Sequence, residues 1–494
     1  MRFFASLRMT KPVLRMMVAA VMLTLSARLY AQSLRTAHIF SDHAVLQRET
    51  DVPVWGWGEA GKTVSVKSSW NGETVRTKVA SDGSWRVNLS TGAAGGPYTL
   101  TLRSGKEKIV LEDIMLGEVW VCSGQSNMEM PVSGFGFQEV EGATEAIMEA
   151  GETASRLRVF DIRTGKEEKP LEDVENVWTL STPDVVSRTS AVAFFFGKRL
   201  SGSLGNIPVG IIVNAWGGSR IEPWMTRTAI DAAGIGKEER EAIDAIEEKP
   251  DRWPETPELI WNGRVAPIAG YAAKGFLWYQ GCSNIGQNCY DKLQASMVRL
   301  WREAWGRGEM PFIYTLLAPY EHGDADGRWR PHFVEVQMRT ADILPSSWYI
   351  CTETLGNKVT VHPSQKREVA DMMVQRALQD VYGIAPGISI ELPRLESCVF
   401  DEDGTARVRL TQVWSNLGSI SSRGVTGFEM AGENRVFHLA EAEVDWDGQT
   451  ILVRCAEVPH PVAVRYSFRN WMGSDLAKSS GIPVPPFRTD DWEY

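Results

Sequence analysis

Val119-Trp120-Val121-Cys122-Ser123-Gly124-Gln125-Ser126-Asn127-Met128 is an apolar run that stops abruptly at a polar, glycine-bearing segment. A run this short, closed by a turn signal, reads as a fully buried strand. The same grammar recurs at Leu157 to Ile162, Val209 to Val213, Gly275 to Tyr279, Phe312 to Leu317 and Trp348 to Thr352. Helix-like stretches lie between these runs, at Ala191 to Leu200, Tyr290 to Trp305, Phe333 to Ile343 and Pro363 to Val381. In the last of them Val369, Met373, Ala377 and Val381 repeat at helical spacing behind a proline suited to a first turn. Alternation of this kind over residues 113–387 predicts an α/β domain with a mostly parallel sheet covered on both faces.

The flanks read differently. Residues 32–112 hold short alternating runs, among them Val52-Pro53-Val54-Trp55-Gly56-Trp57 and Trp85-Arg86-Val87-Asn88-Leu89, with turn signals at Asn71-Gly72 and Asp82-Gly83. Strands so closely spaced predict a small β-sandwich whose tryptophans belong to its core. Alternation returns in residues 388–494, at Ala406-Arg407-Val408-Arg409-Leu410, Ile451-Leu452-Val453-Arg454 and Val462-Ala463-Val464-Arg465-Tyr466, and predicts a second β-rich region.

Residues 1–31 are a leader by pattern. Arg2, Arg8, Lys11 and Arg15 precede the apolar stretch Met16 to Leu25, and Leu29-Tyr30-Ala31 offers a small residue for cleavage. The apolar stretch falls short of the roughly 20 residues that span a bilayer. The expectation is therefore a cleaved signal peptide, a secreted or periplasmic product and no membrane insertion afterwards. The 494-residue chain has a net charge of −10, and loss of a leader with five basic and no acidic residues takes it to −15. Nucleic acid is excluded as a natural partner for so acidic a chain. Six cysteines are too sparse for a disulfide scaffold and read mostly as buried thiols, with Cys398 and Cys455 one possible pair. Neither paired CxxC nor HExxH spacing is present, so no metal site is implied.

In an open parallel sheet, ligands bind beyond the carboxyl ends of the strands. Four polar segments follow apolar runs and are expected to share one rim: Ser123 to Met128, Asn214-Ala215-Trp216-Gly217-Gly218-Ser219, Gln280-Gly281-Cys282-Ser283-Asn284, and His362-Pro363. A serine attacks an ester when a base takes its proton and donors hold the oxyanion. Ser126 is the candidate nucleophile and His362 the candidate base. The Ser126 amide, a Gly218 amide and the Asn284 side chain are candidate oxyanion donors. Each has a plainer reading: Ser126 as a helix cap, Gly217-Gly218 as a sharp turn, Asn284 as a loop-stabilising amide, His362 as a structural histidine. No G-x-S-x-G elbow surrounds any serine, which points away from the α/β-hydrolase architecture.

Taken in order, several blocks resemble the sialate O-acetylesterase family, a branch of the SGNH hydrolases with carbohydrate-esterase members. They are Phe40-Ser41-Asp42-His43-Ala44-Val45-Leu46-Gln47-Arg48, Gly117-Glu118-Val119-Trp120, Gly124-Gln125-Ser126-Asn127-Met128, Trp216-Gly217-Gly218-Ser219, Gly275-Phe276-Leu277-Trp278-Tyr279-Gln280-Gly281 and His362-Pro363-Ser364-Gln365-Lys366. The resemblance implies a flavodoxin-like catalytic domain with β-rich companions, no metal or organic cofactor, and removal of O-acetyl groups from sialic acids or related sugars. It matches Ser126 to the nucleophile, His362 to the base, and Gly218 and Asn284 to the oxyanion segments.

Two departures stand out. The family commonly carries Glu where this chain has Cys282, and Asp shortly before the histidine where this chain has Lys358, Val359, Thr360 and Val361. An acid there fixes the histidine tautomer; in serine proteases its neutralisation lowers the rate about 10⁴-fold. The open outcomes are a Ser-His dyad oriented by a backbone carbonyl, support from a residue elsewhere such as Glu353 or Gln280, or a degenerate fold that binds glycans without catalysis. A cysteine hydrolase built on Cys282 is a further alternative. Loops around Asp251 to Asn262 and Glu321 to Arg330 are expected to choose the sugar.

Overall fold

In a computed structural model of the chain, residues 33–492 are described, apart from 247–253, 386, 388, 414–415 and 421–424. The expected leader, residues 1–31, lies outside them. Among the described residues, no helix is long and apolar enough to cross a membrane.

The organising element is a single strand, β1, running 18 residues from Glu107 to Gly124. Its first half pairs antiparallel with Gly95–Ser104, in the N-terminal strands. Its second half, Ile114 to Gly124, is continuously buried, as a strand covered on both faces must be. The expected junction between residues 112 and 113 thus falls inside one strand. The chain bends there without breaking, at Asp113, whose φ of 53° is the left-handed conformation that aspartate tolerates. Arg158 Nη2 donates to the Asp113 carboxylate at 3.0 Å and ties down the bend.

Six further strands complete the central part of this sheet: β2 (Leu157–Asp161), β3 (Trp178–Leu180), β4 (Val209–Ala215), β5 (Gly275–Tyr279), β6 (Phe312–Thr315) and β7 (Ser347–Ile350). Their order is β3-β2-β4-β1-β5-β6-β7. All neighbours are parallel except β3, which lies antiparallel on β2. β3 has only three residues, too few to show a period, and this is why the sequence pattern did not reveal it.

Helices cover both faces. On one, α2 (Ala191–Ser203) and α5 (Lys366–Asp380) pack into a core with Val159, Ile211, Leu277 and Ile313. On the other, α3 (Tyr290–Trp305) and α4 (Trp329–Ile343) pack with Phe276, Trp278, Phe312 and Tyr314. This second core continues into the N-terminal strands through Leu46, Val54 and Trp85. Trp57 and Trp85 are buried, and Trp55 and Trp70 pack against the core half-buried. The four-residue α1 (Ser126–Glu129) follows β1. Helix α5 begins at Lys366 and not at Pro363. The Ser364 carbonyl instead accepts the amides of Glu141 and Lys366, which keeps Pro363 to Gln365 outside the helix.

The C-terminal region is β-rich, as expected: Leu395–Phe400, Ala406–Leu410, Val425–Ala431, Phe437–Val444, Thr450–Arg454, Ala463–Tyr466 and Phe487–Arg488 form one antiparallel sheet. All six cysteines are free thiols, and the pair Cys398–Cys455 is thereby corrected. Cys398 lies in the edge strand and Cys455 directly follows a strand two positions away. Two strand spacings are about 10 Å, beyond the roughly 7 Å limit between disulfide-bonded Cα atoms.

The C-terminal region is held to the α/β domain by Arg330 of α4. Its buried guanidinium meets both Glu353 oxygens, at 2.9 and 3.1 Å, and the carbonyls of Ser467 and Arg469, each at 3.2 Å. Ser467 Oγ also donates to Glu353. Breaking a buried pair from one side strands the other charge. Glu353→Ala is therefore expected to lower stability by about 3–5 kcal/mol, read from the shift in urea unfolding. A loss below about 0.5 kcal/mol, the ordinary range for surface changes, would show that the pair does not hold the two regions together.

Candidate active site

Strands β1, β4, β5 and β7 point the same way, so the segments that follow them meet on one rim. Gly124 closes β1 at φ 143°, where any Cβ would run into the Tyr279 carbonyl of β5. Gln125 Oε1 accepts the Gly281 amide at 2.9 Å. A Cβ on Gly217 would sit 3.5 Å from Ser126 Cβ and 2.6 Å from Glu129 Oε2, so the Trp216-Gly217-Gly218 turn lies directly against Ser126. Ser283 Oγ then donates to the Gly218 carbonyl at 2.9 Å and links the second and third segments.

His362 reaches this rim from the loop before α5, and its Nε2 lies 2.7 Å from Ser126 Oγ. Both side chains are half-buried, open to a reactant yet partly shielded from water. Asn127, the next residue, acts as a strut between the two: its Nδ2 donates to the Val361 carbonyl at 2.9 Å, and its Oδ1 accepts Lys366 Nζ at 2.5 Å. Burial holds the Lys366 amine down to about 7. Burial likewise lowers His362 to about 4, with the Lys366 charge acting in the same direction. The imidazole is thus neutral, the form that can take a proton from Ser126.

The other ring nitrogen answers the question left by the missing acid. His362 Nδ1 lies 2.6 Å from Gln138 Oε1. Gln138 ends a two-residue hairpin, Phe135-Gly136-Phe137-Gln138, whose outer residues exchange backbone bonds of 2.9 and 2.7 Å. Gly136 sits at the tip with φ 50°, a conformation that glycine adopts without strain. Phe135 stacks edge-on to the imidazole, with ring centres 5.5 Å apart. The sequence reading missed Gln138. Its one local signal is the glycine pair Gly134 and Gly136, which marks a turn but not its partner, and Gln138 and His362 are 224 residues apart.

The remaining candidates divide. Gly218 follows Gly217 in the turn that lies against Ser126, and among the described residues its amide and that of Ser126 donate to no other group. Asn284 corrects the expectation of an oxyanion donor. Its Nδ2 gives its two hydrogens to Glu222 Oε2 at 3.1 Å and Gln287 Oε1 at 2.6 Å, while Oδ1 accepts the Ile221 amide at 3.0 Å. It is a buried loop brace. Gln280 does not support His362 either; its Nε2 donates to the Ser219 carbonyl at 3.0 Å and to Asn284 Oδ1 at 2.8 Å, and its Oε1 accepts Tyr290 Oη at 2.6 Å. Glu353 is likewise corrected, since Arg330 and Ser467 occupy its carboxylate. Glu129, beside Ser126, accepts the Gly217 amide at 2.8 Å. Burial pushes the Cys282 thiol up to about 12, which keeps it protonated and a poor nucleophile. Among the described residues, no three His, Cys, Asp or Glu side chains are grouped to hold a metal ion.

A family described as carbohydrate esterase, sialic acid-specific acetylesterase, matches residues 116–379. The chain is similar to sialate O-acetylesterase of Homo sapiens, 31% identical over 293 residues, which are 56% of this chain and 54% of that protein. Sialate O-acetylesterase of Rattus norvegicus is 27% identical over 414 residues, covering 71% and 74% of the two chains. The match thus spans about half the length of the human relative. A crystal structure of a carbohydrate acetylesterase from Xanthomonas citri is 30% identical and superposes over 93% of this chain and 100% of that one, with a TM-score of 0.80.

An imidazole held near 4 is neutral throughout the range in which an ordinary histidine, with its midpoint near 6.5, takes up its proton. In ¹³C-histidine-labelled protein the His362 ring resonance, assigned by its loss in His362→Asn, is expected to titrate at about 4, well below that ordinary midpoint. A midpoint of 6.5 or above would contradict the shielding described.

Proposed function

The chain belongs to the sialic acid-specific acetylesterase family of carbohydrate esterases, and on that premise we propose that it removes acetyl groups from sugar hydroxyls through an acyl-enzyme on Ser126. The observation that carries the proposal is the 2.7 Å contact between Ser126 Oγ and the neutral His362 Nε2.

His362 Nε2 takes the Ser126 proton as Oγ attacks the acetyl carbonyl carbon. The oxyanion of the tetrahedral intermediate forms beside the Ser126 and Gly218 amides, the two donors near the nucleophile without another partner among the described residues. Collapse expels the sugar hydroxyl, which receives the proton from His362. Water, deprotonated by the same ring, then attacks the acetyl-serine; acetate leaves as Ser126 Oγ takes the proton back from His362. Glu129 acts on this step indirectly, since its bond to the Gly217 amide fixes the turn that presents Gly218. The five strands β4-β1-β5-β6-β7 follow the flavodoxin-like order 2-1-3-4-5, with β2 added at the edge beside β4 and Ser126 beyond the carboxyl end of β1, and this supports reading the domain as a flavodoxin-like SGNH hydrolase. Its proposed companions are an N-terminal β-sandwich domain at 32–112, whose last strand runs on into the esterase domain at 113–387, and a C-terminal β-rich domain at 388–494. The basic-then-apolar leader supports export to the periplasm or the medium, with the signal peptide cleaved.

A non-catalytic glycan-binding protein drew its support from the missing acid. With Gln138 on His362 Nδ1 the ring is not left without a partner, and the esterase reading is favoured.

Acetate release from acetylated sialic acid and acetylated xylan fragments tests the proposal. Ser126→Ala and His362→Ala are each expected to lower kcat by about 10³-fold or more without loss of folding. Equal inactivity of all three proteins on every acetylated sugar tried would overturn the esterase reading and put the binding reading in the lead.

A further inference from the structure

We propose that Gln138 is the positioning residue of this site, an amide oxygen standing where a carboxylate would orient the base, and that its neutrality sets the low-pH working range of the enzyme. The inference rests on the reading of Ser126 as nucleophile and His362 as base.

The geometry leaves one productive assignment of protons. A neutral imidazole has one N–H. Gln138 Oε1 at 2.6 Å from Nδ1 can only accept, so the hydrogen is on Nδ1 and the Nε2 lone pair faces Ser126 Oγ at 2.7 Å. An amide turned the other way would donate to Nδ1, place the hydrogen on Nε2 and block proton transfer from the serine. That wrong tautomer is what makes the amide replacement of the acid so damaging in serine proteases. Here the hairpin holds the side chain in place: a Cβ at Gly134 would run into the Gln138 carbonyl, so glycine lets the chain fold back, and Phe135 seals one side of the imidazole.

An amide orients without charge. Around His362 the charged groups are few. Lys366, from α5, opposes protonation of the ring. Glu139 and Glu141, beyond the hairpin, and Lys358, on the loop before His362, are exposed. Glu129, from α1, is held by the Gly217 amide. None of these carboxylates is bonded to the imidazole, so among the described residues no neighbouring negative charge favours its protonated form. The base keeps its free lone pair at a pH where a carboxylate-paired histidine is already protonated. In exchange, the imidazolium formed during attack lacks a counter-charge, and the maximal rate is lower than a full triad would give.

Gln138→Glu and Gln138→Ala test this through the pH profile of kcat/KM for acetate release and through the His362 ring titration. A carboxylate beside Nδ1 favours the protonated ring. Gln138→Glu is expected to move the acid limb and the ring midpoint upward together by about one to three pH units, and to raise the plateau rate about tenfold. Gln138→Ala is expected to lower kcat about 10²-fold with little change in KM. A residue that served only to hold the hairpin would lower the rate in both variants and leave the limb in place, and that result overturns the proposal. So does a ring midpoint in Gln138→Glu equal to that of the wild type. Absence of Ser126-dependent acetate release from the wild type would overturn the esterase reading and the working range with it. The ring midpoint would still decide whether Gln138 orients His362.

Discussion

A strand buried on both faces must satisfy its backbone groups through the two strands beside it, since no water reaches them. Glu107–Gly124 is buried on both faces only in its second half, and its two halves have different partners. In the first half it joins the N-terminal strands, through the antiparallel ladder with Gly95–Ser104. In the second it is the central strand between β4 and β5 of the parallel sheet. The N-terminal strands and one face of the catalytic sheet consequently share an apolar core. The carboxyl end of the strand fixes where Ser126 emerges, with β5 close enough at Tyr279 that only glycine fits at position 124.

Three acidic side chains near Ser126 or expected to support His362 have structural work. Glu129 binds the Gly217 amide, Glu222 takes Asn284 and Arg220, and Glu353 binds Arg330 in the contact with the C-terminal sheet. Buried carboxylates must be paired in this way to be tolerated. The imidazole is left with a neutral partner, a hydrophobic ring on one side and a lysine behind it. The site is therefore organised by hydrogen-bond direction and shielding more than by opposed charges, and its base is kept in the deprotonated state.

Much of this was legible in the residues. Six buried strands and four long helices announced themselves because full burial writes a continuous apolar run and helix packing writes a 3.6-residue repeat. Ser126, Gly218 and His362 were legible as well, since parallel strands put every following loop on one rim. Cys398 and Cys455 misled, because sequence carries no record of the two strand spacings between them. Asn284 and Glu353 also misled. A residue type states what a side chain can bond to, and the choice between a substrate and a neighbouring loop depends on what lies within about 3 Å once the chain has folded.

The sequence by itself determined the alternation of strands and helices, the rim on which the polar segments collect, and the presence of Ser126 and His362 on that rim, because these follow from local pattern and chain direction. Only the tertiary structure decided what meets the second nitrogen of the His362 ring. Gln138 and His362 meet through a glycine-tipped hairpin across a separation of 224 residues. A hydrogen bond forms wherever a donor and acceptor come within reach at a favourable angle, however far apart they stand along the chain.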